Sequence, residues 1–232
     1  MPLADTFVGW EGAAVDDPEP GDLLVRGPST FLGRRMESVL TEPAAAHVPL
    51  CDAPSLPHLT LVLGGARSGK SRYAEGLIEG AVGAAVYLAT AESRDGEMAE
   101  RIRRHRCRRA GQSATRWQTV EEPLALVASL AEMARPDRPI LVDCLTLWLS
   151  NLLLAGRDIA ADTAGLIAAL PALAGPLVLI ANEVGLGIVP DNALAREFRD
   201  HAGMLNQAVA SIADRVVFVA AGLPLILKEP RR

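Results

Sequence analysis

The stretch Leu59-Thr60-Leu61-Val62-Leu63-Gly64-Gly65-Ala66-Arg67-Ser68-Gly69-Lys70-Ser71 decides how this chain is read. Its last eight residues match G-x-x-x-x-G-K-[ST] at every defined position, the signature of a phosphate-binding loop. Ahead of them runs an apolar segment of strand length, 59–63, and behind them residues 71–79 carry helical spacing. Strand, glycine-rich turn and helix together form the context that the pattern requires. The glycines let the backbone curl until its N–H groups point inward at phosphate oxygens. The helix N-terminus adds partial positive charge. The expected nucleotide-binding set is therefore Gly64, Gly65, Ala66, Arg67, Ser68, Gly69, Lys70 and Ser71. Lys70 is expected to reach the β- and γ-phosphates, and the Ser71 hydroxyl to ligate Mg²⁺.

Outward from this loop, short apolar runs alternate with helical patterns. Strands are expected over 85–88, 117–120, 139–142, 177–181, 216–220 and 224–227, and helices over 97–109, 124–133, 146–154, 159–170 and 193–212. Such alternation implies crossover connections and an α/β fold, a mainly parallel sheet with helices on both faces. Asp143 closes the run Pro139-Ile140-Leu141-Val142, at the strand edge where doubly wound sheets bind ligands. A second magnesium ligand is its expected role; an ordinary helix cap ahead of the next helix is the alternative.

Composition limits the remaining choices. The 232 residues are 50% hydrophobic with a net charge of −5, which excludes a wholly disordered chain and argues against a nucleic-acid coat protein. The first 57 residues hold 8 of the 16 prolines and nine acidic against three basic side chains, leaving the rest of the chain at +1. They are expected to be a weakly structured acidic extension, and 58–232 the domain that carries the phosphate-binding loop. The three cysteines are too widely spaced for a disulfide framework or a CxxC metal site, so a reducing compartment, the cytoplasm, is expected. Residues 163–182 carry no charge, but two glycines and two prolines break them into helix, turn and strand, so no membrane span is expected.

Two further segments carry chemistry. Arg101 to Arg109 places six arginines in nine residues around His105. A solvated basic helix face, a nucleic-acid patch and an anion clamp all fit that composition. In the clamp reading, neighbouring positive charge keeps the imidazole neutral and nucleophilic, able to attack an α-phosphorus. The second segment, Asn182-Glu183-Val184-Gly185-Leu186-Gly187-Ile188-Val189-Pro190-Asp191-Asn192, follows a buried strand and forms a loop on the same edge. There Glu183 has metal, substrate or a neighbouring loop as candidate partners.

Taken together, the glycine-rich loop, the helix ending in His105, the Asn182–Asn192 segment and the downstream Phe198-Arg199-Asp200 and Asn206-Gln207 resemble one family. It is the bifunctional adenosylcobinamide kinase / adenosylcobinamide-phosphate guanylyltransferase family of cobalamin biosynthesis. The likeness runs from about Leu59 to Leu227. It implies a RecA-like P-loop fold, a homotrimer, and two reactions. The first phosphorylates adenosylcobinamide with ATP or GTP. The second transfers GMP from GTP to adenosylcobinamide phosphate through a GMP-histidine, at His105 here. It further implies nucleotide contacts at Thr90, Ala91 and Glu92, at Arg106, Cys107, Arg108 and Arg109, and at the acids Glu121 and Asp143. No nucleic-acid partner is implied.

Overall fold

The computed structural model describes residues 56–79, 84–91 and 116–230, all within the compact unit Leu50–Arg232. The expected helix over 97–109 lies outside the described residues, as do the first 55 residues of the expected extension.

Among the described residues are seven strands: β1 (Leu59–Gly64), β2 (Ala84–Ala89), β3 (Arg116–Glu121), β4 (Ile140–Asp143), β5 (Leu177–Asn182), β6 (Arg215–Ala220) and β7 (Leu223–Lys228). The helices are α1 (Lys70–Glu79), α2 (Leu126–Met133), α3 (Leu145–Leu154), α4 (Ile159–Ala169) and α5 (Ala193–Ile212), with a 3₁₀ turn over Leu170–Ala172. One sheet takes all seven strands in the order β3-β2-β4-β5-β1-β6-β7. Every pairing is parallel except that of β7, which folds back on β6. The expected α/β architecture with a mainly parallel sheet is thus the one observed.

Burial explains why the strands read as unbroken apolar runs. Along each inner strand, alternate residues enter two separate cores, because successive side chains point to opposite faces. Leu61, Leu88, Val142 and Leu179 pack with Leu130, Trp148, Leu149, Leu166 and Val209 of α2 to α5. Val62, Tyr87, Leu141 and Ile180 pack on the other face with Ala74 and Ile78 of α1. The uncharged stretch 163–182 resolves into the end of α4, the 3₁₀ turn and β5; Pro171, Gly175 and Pro176 lie at the breaks, whereas Gly165 sits within α4. No helix among the described residues is long and apolar enough to cross a membrane.

β7 leaves the parallel pattern through a two-residue turn. Ala221 (φ 52°) and Gly222 (φ 80°) both adopt left-handed backbone, the conformation that matches the twist of a tight hairpin. With β1 to β5 all parallel, Gly64, Ala89, Glu121, Asp143 and Asn182 end on one edge of the sheet. That edge carries the candidate site.

Candidate active site

The phosphate-binding loop begins where β1 stops. Gly64 is pinned between β6 and the loop itself: a Cβ there would lie 2.5 Å from the Val219 carbonyl oxygen and 2.6 Å from Ser68 Oγ. The loop then turns through Arg67 (φ 58°) and Gly69 (φ 95°) into α1. The Ser68 N–H points back at the Gly65 carbonyl at 3.3 Å, and the Tyr73 N–H donates to the Gly69 carbonyl at 3.0 Å. A brace that the sequence does not announce comes from the β6–β7 turn. The Gly222 N–H donates to the Ser68 carbonyl at 2.8 Å, and a Cβ on Gly69 would approach Gly222 Cα to 3.1 Å. Lys70 is buried, and its ammonium donates to the Gly65 carbonyl at 3.1 Å, so its charge lies over the loop that would hold the phosphates.

Asp143 ends β4 two strands from β1, with β5 between them. Its Oδ2 accepts a 2.8 Å hydrogen bond from the Tyr87 hydroxyl on the adjacent β2. The Tyr87 ring stands edge-on to Trp117 of β3, centroids 6.2 Å apart and planes at 79°. Tyr87 was absent from the sequence-derived set. Its signal is a lone phenol in a buried apolar strand, which must find a partner. The N-cap of α3 is Cys144, so the helix-cap alternative for Asp143 does not describe this end. Burial and the Asp143 carboxylate push the Cys144 thiol up to about 11.

Thr90 and Ala91 follow β2 on the same edge. Thr90 is fully buried; its hydroxyl donates to the Cys144 carbonyl at 2.7 Å and accepts from the Cys144 N–H at 2.8 Å. Any nucleotide contact in this turn would therefore come from its backbone or from Ala91. Glu121 ends β3 and is level with Ala89 across the pairing, as Asp143 is on the other side. The two acids thus flank β2, about 10 Å apart at the usual strand spacing. Glu92, His105, Arg106, Cys107, Arg108 and Arg109 lie outside the described residues.

The Asn182–Asn192 segment is tied down at both ends. The Asn182 N–H donates to Thr146 Oγ1 at 2.6 Å, and Asn206 Nδ2 donates to the Asn182 carbonyl at 3.2 Å. The Glu183 N–H continues the sheet pairing to the Gly64 carbonyl at 3.1 Å. The Glu183 carboxylate accepts from the Gly185 N–H at 2.6 Å, which makes its own loop the observed partner. At the far end Arg196 donates to the carbonyls of Pro190 and Asp191, and Asn192 caps α5.

Magnesium takes hard oxygen ligands, keeps several waters, and needs only one or two protein groups beside phosphates. The Ser71 hydroxyl and the Asp143 carboxylate are such donors. Among the described residues no three His, Cys, Asp or Glu side chains gather into an all-protein metal site. That donor set fits an ion carried by a nucleotide better than a resident one.

The model of the CobU family, described as cobinamide kinase / cobinamide phosphate guanyltransferase, matches residues 60–227. This span runs from the second residue of β1 into β7 and takes in every described element of the edge. The chain belongs to this family. Among curated relatives, the bifunctional adenosylcobalamin biosynthesis protein CobP of Pseudomonas aeruginosa is 50% identical over 173 residues, which is 73% of this chain and 98% of that protein. The bifunctional adenosylcobalamin biosynthesis protein CobU of Salmonella typhimurium is 40% identical over 185 residues, 73% of this chain and 99% of that protein. The protein is thus a CobU-family enzyme.

Proposed function

We propose that this enzyme phosphorylates adenosylcobinamide with ATP or GTP and then transfers GMP from GTP to adenosylcobinamide phosphate, through a GMP-histidine formed at His105. The observation that carries the reading is the phosphate-binding loop and Asp143 on one sheet edge, within a chain of the CobU family. In the kinase step the loop N–H groups and Lys70 hold the triphosphate, and the terminal phosphoryl group passes to the cobinamide hydroxyl. In the second step the neutral imidazole of His105 attacks the α-phosphorus of GTP, pyrophosphate leaves, and a phosphate oxygen of adenosylcobinamide phosphate displaces the imidazole. Positioning and charge neutralisation by Lys70 and by Arg106, Arg108 and Arg109 supply most of the catalysis. Magnesium, held by Ser71 and Asp143, would neutralise phosphate charge when bound. Thr90, Ala91, Glu92, Cys107 and Glu121 complete the nucleotide contacts. A homotrimer and a cytoplasmic location belong to the same reading.

Incubation with GTP labelled at the α-phosphate tests it. The expected result is acid-labile, alkali-stable label on the protein, lost in His105→Ala, with kinase activity still measurable in that variant. Undiminished labelling in His105→Ala would remove the histidine from the reaction.

A further inference from the structure

The helix after Asp143 contains a polar side chain that neither reaction uses. α3 reads Leu-Thr-Leu-Trp-Leu-Ser-Asn-Leu-Leu-Leu, and Asn151 is buried within it. A buried amide must find partners for its donors. Asn151 Nδ2 donates to the Thr90 carbonyl at 2.8 Å and to the Pro123 carbonyl at 3.2 Å. Both carbonyls lie just past strand ends, Thr90 after β2 and Pro123 after β3, where the sheet ladder no longer serves them. One turn earlier on the helix, Trp148 Nε1 donates to the Leu124 carbonyl at 2.9 Å, a second tie to the β3 side. On the other side, the Thr90 N–H donates to the Asp143 carbonyl at 3.1 Å, and its hydroxyl brackets the Cys144 peptide. A continuous row of hydrogen bonds thus runs from Pro123 through Asn151 and Thr90 to Asp143 and Cys144. It joins the ends of three strands, those that finish at Glu121, Ala89 and Asp143.

We propose that Asn151 is a positioning residue for nucleotide binding: by holding the Thr90 and Pro123 carbonyls it fixes where Ala91 and Glu121 stand relative to Asp143 and the phosphate-binding loop. The inference rests on the proposed reading that Ala91, Glu121 and Asp143 contact the nucleotide. No aliphatic side chain can replace the two donors, and small displacements are costly, because an error of about 1 Å in a positioned group can cost two orders of magnitude. The loop after β1 is itself braced by β6 and the Gly222 turn, with β5 between β1 and the three strands of this row. Loss of the amide is therefore expected to weaken binding of the whole nucleotide while sparing the loop.

The test compares Asn151→Leu, close in volume and without donors, and Asn151→Ser, which shortens the side chain without adding bulk. Dissociation constants are measured on the full chain for GTP and for metal-free tripolyphosphate, a probe that needs the loop alone. The expected result is a GTP dissociation constant raised about tenfold or more, with that for tripolyphosphate moving less than about twofold. In turnover, KM for GTP should rise while kcat holds; a merely structural loss lowers the active fraction and leaves KM where it was. Unchanged GTP affinity, an equal weakening of both probes, or failure of both variants to give folded protein would each overturn the proposal. Wild-type protein that binds GTP but does not turn over cobinamide would instead defeat the proposed function, which separates the two failures.

Discussion

Gly64 and Gly65 are adjacent and chemically identical, yet their surroundings predict opposite responses to a methyl group. In Gly64→Ala the new carbon would sit 2.5 Å from the Val219 carbonyl oxygen and 2.6 Å from Ser68 Oγ. A carbon–oxygen contact normally settles at about 3.3–3.6 Å, so roughly 1 Å of room must be found. Ser68 is a short side chain and can rotate away. Val219 is backbone, level with Gly64 in the β1–β6 pairing, and moves only by straining that ladder. Forcing a methyl into packed surroundings of this kind costs about 1–3 kcal/mol. Among the described residues, and apart from its chain neighbours, Gly65→Ala meets no atom within 4 Å, and it has no left-handed backbone to strain. Its stability should change by no more than about 0.5 kcal/mol, as at other unconstrained positions. Urea titration reads the difference directly: with a slope of about 2 kcal/mol/M, the Gly64→Ala midpoint falls by roughly 0.5–1.5 M while that of Gly65→Ala barely moves. Nucleotide affinity should fall in Gly64→Ala as well, since the loop starts from a displaced strand end. Equal midpoint shifts in the two variants, or an unshifted Gly64→Ala, would refute the packing argument.

If one loop serves both steps, Lys70→Ala should impair phosphorylation and guanylyl transfer together, measured as separate rates; loss of the kinase alone would mean two nucleotide sites. Tyr87→Phe removes the 2.8 Å bond to Asp143 Oδ2, and bonds to charged groups are worth about 1.5–3 kcal/mol. If that loss falls wholly on the metal site, the magnesium concentration needed for half-maximal nucleotide binding should rise by about tenfold to a hundredfold, and an unaltered requirement would detach Tyr87 from Asp143's role. The Cys144 thiol, pushed from 9.0 to about 11, binds its proton more tightly in the folded chain than in the unfolded one. Its contribution is therefore complete below pH 9 and lost as pH rises through 11, about 2–3 kcal/mol across that window. Denaturation of wild type and Cys144→Ala at pH 8 and pH 11 should show the smaller pH-dependent loss in the variant.

The sequence was most informative where local chemistry leaves little choice. An apolar strand, a glycine-rich turn and a helix opening at Lys70 follow one another as the local pattern requires, because the glycines and the apolar run act on their immediate neighbours. The run from Pro139 to Asp143 placed an acid at a strand's C-terminal end for the same local reason. Asn206, singled out by resemblance alone, proves to hold the Asn182 carbonyl from α5. Tyr87, Asn151 and the Ala221–Gly222 turn escaped notice because each works on a residue far away in the chain: 56 positions for Tyr87 to Asp143, 61 for Asn151 to Thr90.

By itself, then, the sequence determined the alternation of strands and helices, the parallel sheet and the glycine-rich turn between β1 and α1, since periodicity and glycine placement are written in neighbouring residues. Only the tertiary structure decided which of two adjacent glycines has no room for a Cβ, which hydroxyl bonds Asp143, and which amide joins the ends of β2 and β3. Those outcomes depend on which strands become neighbours, and strand order is set by burying both faces of the whole sheet at once rather than by any one segment.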